Sequence, residues 1–162
     1  GMRNISLSTC GLVPQIGRLA EEKLGLTLSI SLHAPTDALR SSMMPVNDAY
    51  PLAQLIPACR AYQKITGRRI SFEYSMVKGV NDSPECARQL AQLLKGMGAH
   101  VNLIPINPVD GSPYTASDAA NVERFKDLLG RLGLNATVRR RLGTDISAAC
   151  GQLRQEEARR PG

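Results

Sequence analysis

Apolar and polar positions alternate along this chain in two rhythms that take turns. Residues 4–8, Asn4-Ile5-Ser6-Leu7-Ser8, alternate one by one, as a strand with one buried face does, and the pattern breaks at Thr9-Cys10-Gly11. Over residues 13–24 the rhythm changes. Ile16, Leu19, Ala20 and Leu24 fall at helical spacing, Pro14 is allowed in the first turn, and Gly25 is the expected stop. Residues 26–32 return to strand rhythm and end at His33-Ala34-Pro35. Thr36 or Asp37 is placed to cap a short helix to about Met44. Pro51 opens a longer helix with Leu52, Leu55, Cys59 and Tyr62 on one face, closed by Gly67.

The same exchange continues to the end. Residues 70–77 read as a strand with Phe72, Tyr74 and Met76 on one face, and Asn81-Asp82-Ser83-Pro84 turns into a helix that buries Cys86, Leu90, Leu93 and Met97. Residues 101–106 are a fourth strand, followed by a Pro/Gly-rich loop. Ser117 is expected to cap a helix with Val122, Phe125, Leu129 and Leu132 inward. Residues 136–140 form a last strand, and Asp145 or Ser147 starts a final helix. Strand–helix alternation of this kind predicts an α/β fold with a parallel sheet. One domain is expected over residues 1–153, with 154–162 a polar tail.

In such folds chemistry collects at the C-terminal ends of the strands. The polar residues expected there are Ser8, Ser31 with His33, Asn107, and the segment Arg139-Arg140-Arg141-Leu142-Gly143-Thr144-Asp145 that leads to Cys150. Cys150 lies between Ala149 and Gly151, small neighbours that leave its sulfur uncrowded, and nearby arginines favour the thiolate. The competing reading makes Cys150 a small buried hydrophobe, which is what a free cysteine most often is.

Composition narrows the choices. Cys10, Cys59, Cys86 and Cys150 are too scattered for a zinc or iron–sulfur motif or a disulfide framework, so no metal site is expected within the chain. His33 and His100 stand alone in sequence. A net charge of +6 points to a polyanionic partner such as RNA. No apolar run is long enough to cross a membrane as a helix and no secretory leader is visible, so no membrane association and a cytoplasmic location are expected. Two alternative functions remain open on residues alone. One is a thiol enzyme using Cys150 with His33 as base. The other is an RNA- or nucleotide-binding module without catalysis, whose phosphate contacts would come from Lys64, Arg68, Arg69, Arg139, Arg140 and Arg141.

Four stretches occur in order at the expected strand ends: Ser8-Thr9-x-Gly11, Ser31-Leu32-His33-Ala34-Pro35, Asn102-Leu103-Ile104-Pro105-x-Asn107-Pro108 and Ala149-Cys150-Gly151-Gln152-Leu153. Together they resemble the radical S-adenosylmethionine methyltransferases that modify carbon 2 of an adenosine in ribosomal RNA and, in some members, transfer RNA. The resemblance implies a partial parallel β/α barrel, with S-adenosylmethionine held by Ser8, by Ser31, Leu32 and His33, and by Asn107. It implies that Cys150 accepts a methyl group, which a radical then activates for addition to the adenine ring.

The departures are as informative. In the family a C-x3-C-x2-C motif for a [4Fe-4S] cluster, a Gly-Glu-Pro motif, a resolving cysteine and an RNA-recognition domain lie upstream of these stretches. None of them occurs in this chain. The expectation is therefore the C-terminal part of such an enzyme, inactive by itself, whose first strand leaves an unpaired edge beside an apolar barrel interior and invites self-association.

Overall fold

The computed structural model describes residues 4–107 and 110–139. The expected final helix and tail, with Cys150, Arg140 and Arg141, lie outside the described residues. Strands β1 (Ser6–Thr9), β2 (Thr27–Ser31), β3 (Ile70–Met76), β4 (His100–Pro105) and β5 (Asn135–Val138) form one sheet in the order of the chain. Every neighbouring pair is parallel. Helices α1 (Val13–Glu22), α2 (Asp37–Met43), α3 (Val46–Ala49), α4 (Leu52–Thr66), α5 (Pro84–Leu93) and α6 (Ala119–Arg131) fill the crossovers. An α/β fold with a parallel sheet is what the alternation of rhythms predicts, and a partial β/α barrel is what the resemblance implies.

Register sorts the side chains onto two faces, because Cα partners in a parallel pair share a side. One face carries Leu7, Leu28, Ile30, Ile70, Phe72, Tyr74, Met76, Val101, Leu103, Ala136 and Val138. The helices lie on it, and Ile16, Leu55, Cys59, Tyr62, Leu90, Phe125 and Leu129 complete one buried cluster there. The other face reads Ser6 and Ser8, then Thr27, Ser29 and Ser31, then Ser71, Glu73 and Ser75, then His100, Asn102 and Ile104, then Asn135 and Thr137, with Ile104 the apolar exception among them. The expected apolar barrel interior is thus corrected: the inner face is polar, because all five strands alternate in the same phase.

Element ends differ from the periodic reading in small ways. Helix α1 stops at Glu22, with Lys23 itself in the left-handed region at φ 50°, rather than running on to a stop at Gly25. Leu132 follows the end of α6 and is exposed instead of inward. Ser117 does not cap α6; its hydroxyl donates to Asp82 Oδ2 at 2.6 Å, and Asp118 is the residue that precedes the helix. Thr36 and Ser83 do cap α2 and α5, accepting from Leu39 N and Cys86 N.

Two buried polar side chains tie the strand ends together. Arg40 of α2, fully buried, donates from Nε to the Leu32 carbonyl at 3.1 Å and from Nη1 to Asn47 Oδ1 at 3.1 Å. Its Nη2 donates to the carbonyls of Cys10 at 2.7 Å and Ser31 at 3.0 Å. Asn81, also fully buried, donates from Nδ2 to the carbonyls of His33 at 2.7 Å and Ser75 at 2.6 Å, and its Oδ1 accepts from Val77 N at 2.8 Å. Gly11 makes room for the first brace. Its φ is +104°, and a Cβ there would meet Arg40 Nη2 and Leu55 Cδ2 at 3.2 Å each. Gly25 also has positive φ, +69°, but nothing lies within 4 Å of its Cβ position. Gly25→Ala should therefore cost about 1 kcal/mol from backbone strain alone. Gly11→Ala should cost about 2–4 kcal/mol, because crowding adds to strain. Urea unfolding of both variants checks this, and equal losses would show that space at Gly11 is not limiting.

Candidate functional site

A parallel sheet brings the C-terminal ends of all its strands to one edge, and three of the expected site positions meet there. Ser8 is the third residue of β1, exposed on the inner face beside Ser29. Ser31 is the last residue of β2, on the same face. Asn107 lies two residues beyond β4 and is exposed. Leu32 turns the other way. Its side chain is buried in the core, its N–H donates to the Glu73 carbonyl at 3.0 Å, and its carbonyl accepts from Arg40. The expected methyl acceptor, Cys150, lies outside the described residues.

His33 has the most determined geometry. It is buried and sits at φ +60°, a region a non-glycine residue seldom occupies without support. Support comes from both sides of its backbone: its N–H donates to the Glu73 carbonyl at 3.2 Å and its carbonyl accepts from Asn81. The ring accepts at Nδ1 from Ser75 N–H at 2.9 Å. A nitrogen that accepts carries no proton, so the neutral ring bears its proton on Nε2. Burial, and then the nearby Arg40 charge, lower its pKa to about 4. Nε2–H has no hydrogen-bond partner among the described residues. His33 is a fixed neutral donor at the strand ends.

That geometry weakens the thiol-enzyme reading. A base needs a free lone pair and a pKa near the working pH. His33 has spent one lone pair on Ser75, and its pKa is far below neutrality. The binding-module reading loses its single patch as well. Lys64, Arg68 and Arg69 lie at the N-terminal end of β3, while Arg139 follows the C-terminal end of β5, roughly 20 Å away at about 3.3 Å per residue of strand. Among the described residues no three histidines, cysteines or carboxylates could hold a metal ion. Cys10 packs against a small apolar cluster of Ala34, Met43, Met44 and Val77, and Cys59 is core, its thiol pushed up to about 12 chiefly by burial. No described helix is long and apolar enough to cross a membrane.

The inner face adds residues that periodicity did not single out. Glu73, Asn102, Thr137 and His100 form a hydrogen-bonded chain across β3, β4 and β5. Arg40 and Asn81 were missed for different reasons. An arginine in a short helix reads as surface, and an asparagine before aspartate reads as a turn former.

The fold is that of a radical S-adenosylmethionine methyltransferase. The crystal structure of such an enzyme from Sphaerobacter thermophilus matches with a TM-score of 0.88 and 52% identity, over 94% of this chain and 45% of that one. Curated relatives agree. A "probable dual-specificity RNA methyltransferase RlmN" of Desulforudis audaxviator is 59% identical over 153 residues, 94% of this chain and 48% of its own length. The protein of the same name from Lachnospira eligens is 53% identical over 154 residues, 95% of this chain and 44% of its own length. No protein-family model matches. The chain is a homologue of the C-terminal part of these proteins, and it spans about half the length of the curated relatives it matches.

Burial of neutral His33 has a consequence for stability. Its folded pKa of about 4 lies below the ordinary 6.5, so the unfolded chain takes the proton first as pH falls. The contribution is complete above pH 6.5 and is lost as pH drops from there through 4, about 3 kcal/mol in all. His33→Asn retains an acceptor for Ser75 N–H and tolerates positive φ, but does not titrate. Between pH 7 and pH 4 the unaltered chain should lose about 3 kcal/mol more stability than this variant, measured by urea unfolding. Parallel pH profiles would show that His33 is not held neutral.

Proposed function

We propose that this chain is the C-terminal part of the catalytic barrel of a radical S-adenosylmethionine RNA methyltransferase that acts on carbon 2 of adenosine in 23S ribosomal RNA and also in transfer RNA, in the cytoplasm. The observation that carries this reading is the strand-end turn Ser31-Leu32-His33. It is locked by Arg40 and Asn81, and it offers a donor with no described partner. Dual specificity is part of the relatives' names, and those relatives match nearly the whole chain.

S-adenosylmethionine fits the residues present. It needs hydrogen-bond donors and hydroxyl partners at a sheet edge, and His33 Nε2–H, Ser31, Ser8 and Asn107 are of those types. Leu32 anchors the turn between its polar neighbours. Bound, the cofactor supplies a methyl group and, with a [4Fe-4S] cluster, radical chemistry. The cysteines described here do not fit a cluster: Cys59 and Cys86 are buried in the main core, Cys10 packs against the smaller apolar cluster, and no three ligating side chains come together among the described residues. The cluster's ligands therefore belong to the rest of the enzyme, and these 162 residues alone are expected to be inactive. Cys150 is the methyl acceptor in this reading, a thiolate favoured by the arginines that precede it.

The exposed edge of β1 bears on the isolated chain. Leu7 is 43% exposed on β1, an end strand of the sheet, and Ile5, just before that strand, is 52% exposed. Such an edge recruits a further strand, so this chain should dimerise in sedimentation experiments. A monomer at high concentration would count against that.

Catalysis is tested with the chain joined to an upstream half that carries the cysteine motif. Cys150→Ala should abolish methylation of ribosomal RNA while the iron and sulfide content stays unchanged. Retained turnover would remove Cys150 from the mechanism, and failure of the unaltered protein to methylate RNA would sink the functional reading as a whole.

A further inference from the structure

Two neighbouring residues in the turn between β3 and α5 have different partners. Asn81 grips His33 and the end of β3, and the Tyr74 hydroxyl donates to its carbonyl at 2.7 Å. Asp82 holds other segments. Its Oδ1 accepts from Gly79 N at 2.9 Å within the turn. Its Oδ2 accepts from the Ser117 hydroxyl at 2.6 Å and from Asn121 Nδ2 at 3.0 Å, and its carbonyl accepts from the same Nδ2 at 3.0 Å. One residue thus joins the β3–α5 turn, the connection from β4 to α6, and α6 itself. The backbone follows the same line. Lys78 N–H donates to the Thr115 carbonyl at 2.8 Å, Ser117 N–H donates to the Met76 carbonyl at 3.4 Å, and Val77 pairs with Ala116 as an antiparallel bridge. Ile106, the residue before Asn107, and Tyr114 belong to the same connection, and both pack with Val80 against the small apolar cluster that includes Val77.

We propose that Asp82 is a positioning residue of the strand-end site: it ties the connection that Asn107 begins to the turn that holds His33, so one side chain sets both. This rests on the cofactor reading above, in which His33 and Asn107 are contacts, and adds a residue that places them without touching the ligand. Both carboxylate oxygens of Asp82 are already engaged, which suits a brace rather than a ligand contact. Hydrogen bonds to an ionised group are the stronger class. The ion pair beside it, Lys78 with Asp118 at 3.6 Å, joins side chains that are 55% and 69% exposed and adds little. Slack in the turn reaches His33 through one peptide unit. The φ of +60° at His33 persists only because its surroundings hold it, and Asn81, one of the holders, is bonded directly to Asp82. A turn released at Asp82 lets Asn81 relax, then His33, and the ring gains water. Arg40 is the charged group that acts on the ring, and its own hydrogen bonds go to Cys10, Ser31, Leu32 and Asn47, not to Asp82. Loss of the brace therefore changes the hydration of His33 and leaves the Arg40 charge in place.

His33 reports the tie without any ligand. Long-range proton–nitrogen NMR follows its ring nitrogens through a pH titration, whose midpoint in the unaltered chain is expected at about 4. Ser117→Ala removes one donor of the brace and Asp82→Ala removes the acceptor. Both should raise the midpoint toward the ordinary 6.5, the second by at least about one pH unit. Gly25→Ala is the control: it strains the chain before β2, away from the turn, and should leave the midpoint at about 4. An unmoved midpoint in both brace variants, or an equal rise in the control, would overturn the tie. Should Asp82→Ala fail to fold, Ser117→Ala decides alone, since it deletes one hydroxyl and keeps the carboxylate. The role in binding is read with the chain joined to an upstream half that carries the cysteine motif. There Ser117→Ala should raise the KM for S-adenosylmethionine about threefold, part of the worth of one hydrogen bond, with kcat nearly kept. A shifted His33 midpoint with an unchanged KM would overturn the positioning role and leave the cofactor reading standing. Failure of the unaltered enzyme to show saturable dependence on S-adenosylmethionine would overturn the cofactor reading and the positioning role together.

Discussion

The guanidinium of Arg40 is the constraint on which the strand-end edge depends. A cation taken out of water is tolerated only when its donors are satisfied. Arg40 meets that demand by collecting the carbonyls of Cys10, Ser31 and Leu32 and the side chain of Asn47. Those carbonyls belong to the segments that leave β1 and β2, so satisfying one side chain sets the spacing of two strand ends. Asn47 is in turn held through Nδ2 by Asp37 and Ser41, which places α2 and α3 over the same edge. Gly11 is required because the guanidinium fills the space that a side chain would take.

The sheet divides its labour by face. Five strands alternate in one phase, so the helices find a continuous apolar surface on one side and leave rows of serine, threonine, asparagine, histidine and glutamate on the other. A β/α barrel whose inside were packed like its outside would have no room for polar chemistry. Here the inner rows are partly tied to one another, as Ser6 is to Ser29 and as Asn102 is to Glu73 and Thr137. The polarity has an energetic logic: the tied inner residues are kept oriented by a neighbour rather than by packing, and donors and acceptors without a described partner remain toward the strand ends.

Much of this was legible in the sequence, and the exceptions follow a rule. Strand and helix rhythms located the described strands and every described helix but the short α3 to within a few residues, and the shared face of Phe72, Tyr74 and Met76 emerged directly from period two. Caps were readable to within a residue or two, as Thr36 or Asp37 and as the run from Asn81 to Pro84, because capping residue types stand just before the apolar period; Thr36 and Ser83 make the bonds. What was missed depends on contacts between distant residues. No local signal shows that Arg40 reaches back 30 positions to Cys10, or that Asn81 reaches 48 positions to His33. The inner face was misjudged as apolar because each serine was read singly, as a turn former or strand filler. Register alone shows that the serines fall into rows. The positions of Ser8, Ser31, His33 and Asn107 at one edge were foreseen from parallel topology, whereas the roles of these residues came from resemblance.

His33 shows why that edge needs both braces. A histidine in water is a poor fixed donor, because its proton moves between two nitrogens and its charge changes near neutrality. Three contacts remove each freedom here. Ser75 N–H fills Nδ1 and selects the tautomer. Burial and the Arg40 charge keep the ring neutral. Asn81 and the Glu73 carbonyl hold the backbone at its positive φ, so the ring cannot leave. The same Arg40 that fixes the strand ends thus also fixes the charge of the donor they present. A neutral donor at Nε2 suits a ligand whose nearby groups are themselves neutral, since it binds them without adding a net charge that would need desolvation. Glu73 is held by two neighbours: Asn102 donates to Oε1, and the Arg139 guanidinium stands 3.8 Å from Oε2, which accepts no hydrogen bond. The edge as built offers hydrogen-bonding groups whose orientation is fixed by their neighbours.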